Sequence, residues 1–283
     1  MINRRQFITN MSLAAAAASM ATGYAYSSVF MRPDEYVTAD TTHGKVRGIR
    51  TEGVNIFKGI PYAGRISGDR RFRRPAALEP WAGVRDALRL GNPAIQPPKQ
   101  TYGINEPDPA EDCLFLNVWT PENDDKKRPV MFYNHGGGFS TGSGGSTSQD
   151  GANLARFFDV VVVETNHRLG IMGFLFLDDI AGNDYAGSGN NGMLDIADGL
   201  AWVNKNIASF GGDPFNVMIF GESGGGAKTS CLYAMPAAAP YFNKASIESG
   251  PGVRMTPREV AAQTAEMLLK ELNIDKKNWR KLL

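Results

Sequence analysis

The sequence predicts an α/β fold: an open, twisted, mostly parallel sheet with crossover helices, entered through a short β meander. Two observations predict it. After Cys113, short runs rich in Val, Ile and Phe alternate with amphipathic stretches, the pattern of parallel strands covered by crossover helices. Connections of this kind close right-handed, which spreads the strands into one open sheet. Before Cys113, three β-prone segments precede a Pro-, Gly- and Arg-rich stretch without steady periodicity, which reads as a meander followed by long surface loops.

Taken in chain order, the first feature stands apart from the fold. Asn3 to Ile8 place the pair Arg4-Arg5 before an apolar stretch over 11–21, which resembles a twin-arginine export signal. Residues 1–26 are read as that signal, cleaved near Ala25, with a periplasmic or extracellular destination. The stretch is too short and too alanine-rich to span a bilayer, so no membrane association is expected after cleavage. Residues 35–283 read as one domain. The meander strands are expected over 36–38, 45–49 and 54–58, and the loops over 59–112. The apolar runs that follow are 113–119, 130–134, 160–164, 217–220 and 245–248. Between the third and fourth, Met193, Ile196, Ala197, Leu200, Ala201 and Ile207 recur at helical spacing, while Asp195, Asp198 and Lys205 fall largely elsewhere. Gly211 and Gly212 stop that helix. A last helix is expected to start near Thr256.

Composition narrows the function. With 42% hydrophobic and 21% charged residues the chain can bury a sizeable core, so disorder is not the default. The formal net charge is +1, from 30 basic and 29 acidic residues well interspersed; such a balance offers no field to hold nucleic acid or a membrane surface. Cys113 and Cys231 each sit in an apolar run without a histidine or basic neighbour, and both are read as free, packed thiols.

Two motifs carry the chemistry. Gly221-Glu222-Ser223-Gly224-Gly225 follows a predicted strand directly and opens a helix of small residues, the context of a nucleophile elbow. A strand that turns abruptly into a helix thrusts the serine hydroxyl out of the sheet, and Gly221 and Gly225 lack the Cβ atoms that would collide across the turn. The second motif, His135-Gly136-Gly137-Gly138-Phe139, also follows a strand. Consecutive glycines let backbone amides approach a ligand, as an oxyanion hole requires. No Lys-Ser/Thr pair follows at P-loop spacing, which argues against a phosphate-holding loop. His135 leads the loop rather than facing the serine and is read as structural.

With these motifs and their flanks, the chain resembles the type B carboxylesterases, the family that includes cholinesterases and bacterial p-nitrobenzyl esterases. The resemblance rests on Lys58-Gly59-Ile60-Pro61-Tyr62-Ala63; on Glu111-Asp112-Cys113 through Val118-Trp119; and on Asn166-His167-Arg168-Leu169-Gly170 with Gly173 and Phe174. A longer match runs from Gly189, Gly192, Leu194 and Asp195 through Trp202, Val203, Asn206 and Ile207 to Phe210-Gly211-Gly212-Asp213-Pro214 and the elbow. It implies the α/β-hydrolase fold and a carboxylic ester hydrolase that acts on small-molecule esters and needs no metal or cofactor. Ser223 would form an acyl-enzyme, and the amides of Gly137, Gly138 and Gly224 would bind the oxyanion. Position 224 is usually alanine in the family, a swap expected to matter little because the backbone donor stays. Arg168 with Asp195 and Lys58 with Glu111 are implied as structural salt bridges. The family's partner for the cysteine at position 113 falls on Ala94, so that disulfide is expected to be absent.

A serine hydroxyl needs a histidine to take its proton and an acid to orient that histidine. The three histidines are His43 in the meander, His135 in the glycine loop and His167, and none matches the family's catalytic position. In the family the order is serine, acid, histidine, which puts both partners beyond Leu283. The sequence is therefore expected to be the front part of a longer gene product, with poor solubility and little turnover when expressed alone. The alternative is a noncatalytic, cholinesterase-like binding module or inactive fragment; such modules have lost the nucleophile, whereas Ser223 is intact.

Overall fold

The computed structural model describes residues 35–97, 106–146 and 149–283. The chain divides into two units, Met1–Tyr36 and Val37–Leu283, and the architecture below is that of the second. The export-signal reading of residues 1–26 lies outside the described residues.

The described residues form a nine-stranded sheet: β1 (Tyr36–Thr41), β2 (Gly44–Thr51), β3 (Val54–Pro61), β4 (Val84–Asp86), β5 (Phe115–Thr120), β6 (Arg128–Tyr133), β7 (Val161–Thr165), β8 (Gly212–Glu222) and β9 (Lys244–Glu248). They run in the order β1-β2-β3-β5-β7-β6-β8-β9, with β4 paired to β2. The half that carries the motifs is parallel: β6 pairs with both β7 and β8, and β8 with β9. The helices are α1 (Ala152–Phe158), α2 (Gly170–Phe174), α3 (Asp178–Ala181), α4 (Asn191–Asn206), α5 (Gly224–Tyr233) and α6 (Arg258–Glu271).

Strand alternation explains the layering. On β7, Val161 and Val163 join the main core with Ile196, Leu200 and Val203 of α4, whereas Val162 joins Trp119 and Ala155 of α1 on the other face. Successive side chains of a strand point to opposite faces, so α4 and α1 cover the sheet from its two sides. Each fully buried Leu, Ile or Phe of this core stabilises the fold by about 1.5–3 kcal/mol relative to exposure. A separate cluster joins Ala265 and Leu269 of α6 to Tyr185, Phe72 and Trp279.

The expected elements all form, with shifted ends and one reversal. The run predicted over 113–119 yields β5 from Phe115, because Cys113 and Leu114 are buried without entering the ladder: the Leu114 carbonyl accepts from the Tyr62 amide at 3.2 Å. β5 is antiparallel to both neighbours, β3 and β7, so the parallel reading holds from β7 onward. β8 is longer than the predicted 217–220 and begins at Gly212. Helix α4 runs into a 3₁₀ turn over Ile207–Phe210 that ends at Gly211, whose φ of +77° suits a residue without a Cβ. Asp195 does not lie on a wet face of α4; it is fully buried.

Candidate active site

Strand β8 ends at Glu222 and helix α5 starts at Gly224, so Ser223 alone makes the turn between them. Its φ of +56° and ψ of −120° lie where a side chain is strained by on the order of 1–3 kcal/mol. The bend is held by two backbone hydrogen bonds: the Ser223 amide donates to the Glu248 carbonyl at 2.9 Å, and the Ala227 amide to the Ser223 carbonyl at 3.1 Å. Parallel pairing of β8 with β9 places Glu248 beside Glu222, so the edge strand fixes the elbow. A Cβ on Gly221 would stand 2.5 Å from the Asn134 carbonyl oxygen, and one on Gly225 would collide with that same oxygen. The steric reason for both glycines is therefore the end of β6, packed against the turn. Ser223 itself is exposed.

The glycine loop leaves β6 and folds over the start of α5. Gly137 and Gly138 adopt φ of +84° and +65°, open to glycine at no steric cost, and the Gly137 carbonyl accepts from the Thr141 amide at 3.1 Å. Among the described residues, the Gly137 and Gly138 amides donate to no protein acceptor. The Gly224 amide is at the first position of α5, where helical geometry supplies no partner. Gly138 packs directly on Gly224: a Cβ at 224 would overlap the Gly138 nitrogen and Cα. Gly138 and Gly224 are thus brought together beside Ser223, and Gly137 precedes Gly138 in the same loop. That packing also corrects the expectation that glycine for alanine at 224 matters little, since the loop occupies the volume of the missing methyl group.

The histidines do not complete a triad here. His43 stacks on Trp81 with ring centroids 6.5 Å apart. His135 and His167 are buried and stacked on each other at 4.5 Å. Burial pushes both imidazoles well below the usual histidine range, helped by the nearby Lys228 ammonium. None of the three is hydrogen-bonded to Ser223. His135 is structural in this sense, at the root of the loop, with Nδ1 2.8 Å from the Gly136 carbonyl oxygen.

Sequence reasoning missed Lys228. It lies on α5 with no exposed surface, and its Nζ donates to the His135 carbonyl at 2.8 Å. Burial alone pushes its pKa down to about 7. The available signal was spacing: Gly224, Lys228 and Leu232 recur every fourth residue and so share one helix face.

Of the implied salt bridges, Arg168 and Asp195 form, with Nε to Oδ2 at 2.8 Å and Nη2 to Oδ1 at 2.6 Å, both residues buried. The Lys58–Glu111 pair does not. Lys58 Nζ faces Asp150 at 3.8 Å, and Glu111 is held through both carboxylate oxygens by Arg71. This bidentate pairing, geometrically favoured by guanidinium over ammonium, holds the Glu111 carboxyl below its ordinary range. Cys113 and Cys231 are free and buried. Ala94 and Cys113 line one small cavity, which is where a disulfide partner would have to stand.

Residues 34–283 match the model of the family described as the carboxylesterase family. The chain belongs to the carboxylesterase family. It is 44% identical over 244 residues to a para-nitrobenzyl esterase of Bacillus subtilis, covering 86% of this chain and 49% of that protein. It is 40% identical over 222 residues to a fumonisin B1 esterase of Sphingopyxis macrogoltabida, covering 78% and 41%. A solved Geobacillus stearothermophilus carboxylesterase superposes with a TM-score of 0.81 at 43% identity, over 87% of this chain and 51% of that one. This chain therefore has the α/β-hydrolase fold and spans about half the length of the relatives it matches. Among its described residues no helix is long and apolar enough to cross a membrane.

Proposed function

We propose that the chain is the nucleophile-bearing part of a serine carboxylesterase. Ser223 attacks the carbonyl carbon of a carboxylic ester; the tetrahedral oxyanion is bound by the amides of Gly137, Gly138 and Gly224; the alcohol leaves, and water releases the acid from the acyl-enzyme. The observation that carries this reading is the strained elbow at Ser223, with Gly138 packed on Gly224 at its side. The base and its orienting acid would come from the part of the relatives' length that the chain does not span. Residues 1–283 alone would then turn over ester only at the low rate that an oxyanion site can support.

The reading is tested with p-nitrophenyl acetate and a fluorophosphonate probe on the full-length polypeptide and its Ser223→Ala variant. Hydrolysis should fall by on the order of 10³-fold or more in the variant, and the probe should attach at Ser223. A label on another residue, or equal turnover in both proteins, overturns it.

A further inference from the structure

The buried Lys228 has no role in the acyl-transfer scheme, and its setting is unusual. A buried ammonium is ordinarily paired with a carboxylate. Here the hydrogen-bonding groups within reach among the described residues are the His135 carbonyl at 2.8 Å and the His135 ring Nδ1 at 3.5 Å. The ring of His167 stacks on that of His135. Both imidazoles are held neutral by burial, and among the described residues no carboxylate acts on the lysine. His135 heads the loop whose Gly138 lies on Gly224, while Lys228 stands one turn further along α5 on the same face. Helix α5 therefore grips the loop at two points: backbone against Gly224, and Lys228 to the carbonyl at the loop's root.

We propose that Lys228 is a positioning residue for acyl transfer, fixing the oxyanion loop through the His135 carbonyl and supplying an uncompensated positive charge whose counter-charge appears only when the substrate oxygen becomes an oxyanion. The proposal deepens the Ser223 acyl-enzyme reading and rests on it. Preorganised charge of this kind acts most strongly in a site shielded from water. Because the lysine pKa lies at about 7, the contribution of its charge is present below neutral pH and fades above it.

The test is the rate of Ser223 phosphonylation by a fluorophosphonate, in which an Oγ–P bond forms as P–F breaks, on the full-length polypeptide at pH 6 and pH 9. Wild type should react about 10-fold faster than Lys228→Met at pH 6, with the ratio smaller at pH 9, where the amine still holds the His135 carbonyl but carries no charge. Lys228→Arg keeps its charge, so its rate relative to wild type should rise between the two values; this second variant decides the matter if the methionine protein does not fold. Ratios that do not change with pH leave the lysine a mere structural support and overturn the proposal. If wild type carries no label on Ser223, the acyl-enzyme reading itself has failed, a distinct result.

Discussion

At the scale of single residues, the site combines two features that oppose stability, the positive φ of Ser223 and the buried charge of Lys228. The second is open to measurement through pH. The lysine pKa is about 7 in the folded chain and about 10.4 when unfolded. Below pH 7 both states are protonated, and the fold bears the whole penalty of the buried ammonium. Between these values the folded lysine is neutral while the unfolded one still binds a proton, so stability rises with pH by about 1.4 kcal/mol per unit. Lys228→Met removes this dependence. Urea unfolding at pH 6.5 and 8.5 should show the variant more stable than wild type at the lower value, with the gap narrowing at the higher. A gap independent of pH would mean that the lysine finds a partner in the folded chain.

At the scale of elements, much of the arrangement was legible in the sequence. Ser223, Gly137, Gly138 and Gly224 announced themselves because a strand, a glycine turn and a helix each leave a local mark, and the structure packs Gly138 of the loop on Gly224 next to Ser223. Direction and partnership left none. The apolar content of β5 is that of any central strand, so nothing in it reveals that both neighbours run the opposite way. Helix α5 is made of small residues with little polar contrast, and a lysine in such a helix reads as solvated. Arg71 rather than Lys58 meets Glu111 because the loop over 59–112 folds Arg71 onto it, a tertiary choice invisible to spacing. The buried Arg168–Asp195 pair, implied by family resemblance, ties the start of α2 to α4. Arg168→Met leaves the Asp195 carboxylate buried without its partner and should destabilise the chain by about 3–5 kcal/mol. The double variant with Asp195→Leu should recover a large part of that loss, as measured by chemical denaturation. Equal losses in the single and double variants would show that the charge was never desolvated.

At the scale of the whole molecule, the sheet is asymmetric in how it is finished. On one side the described residues close with the β1-β2-β3 meander, while β9 stands last in the strand order on the other. This edge strand also bears the Glu248 carbonyl that holds the Ser223 amide, so whatever disturbs the edge reaches the elbow. Apolar surface gathers nearby: Ile247 on β9 is 41% exposed, and Met255 and Val253 beyond it are 59% and 86% exposed. A free edge with an apolar flank is a template for pairing with another chain. Residues 37–283 in isolation should therefore self-associate as concentration rises. Ile247→Lys, which places a charge on the edge, should shift the material toward monomer in sedimentation velocity. If wild type sediments as a monomer throughout, the β9 edge does not pair and the expectation fails.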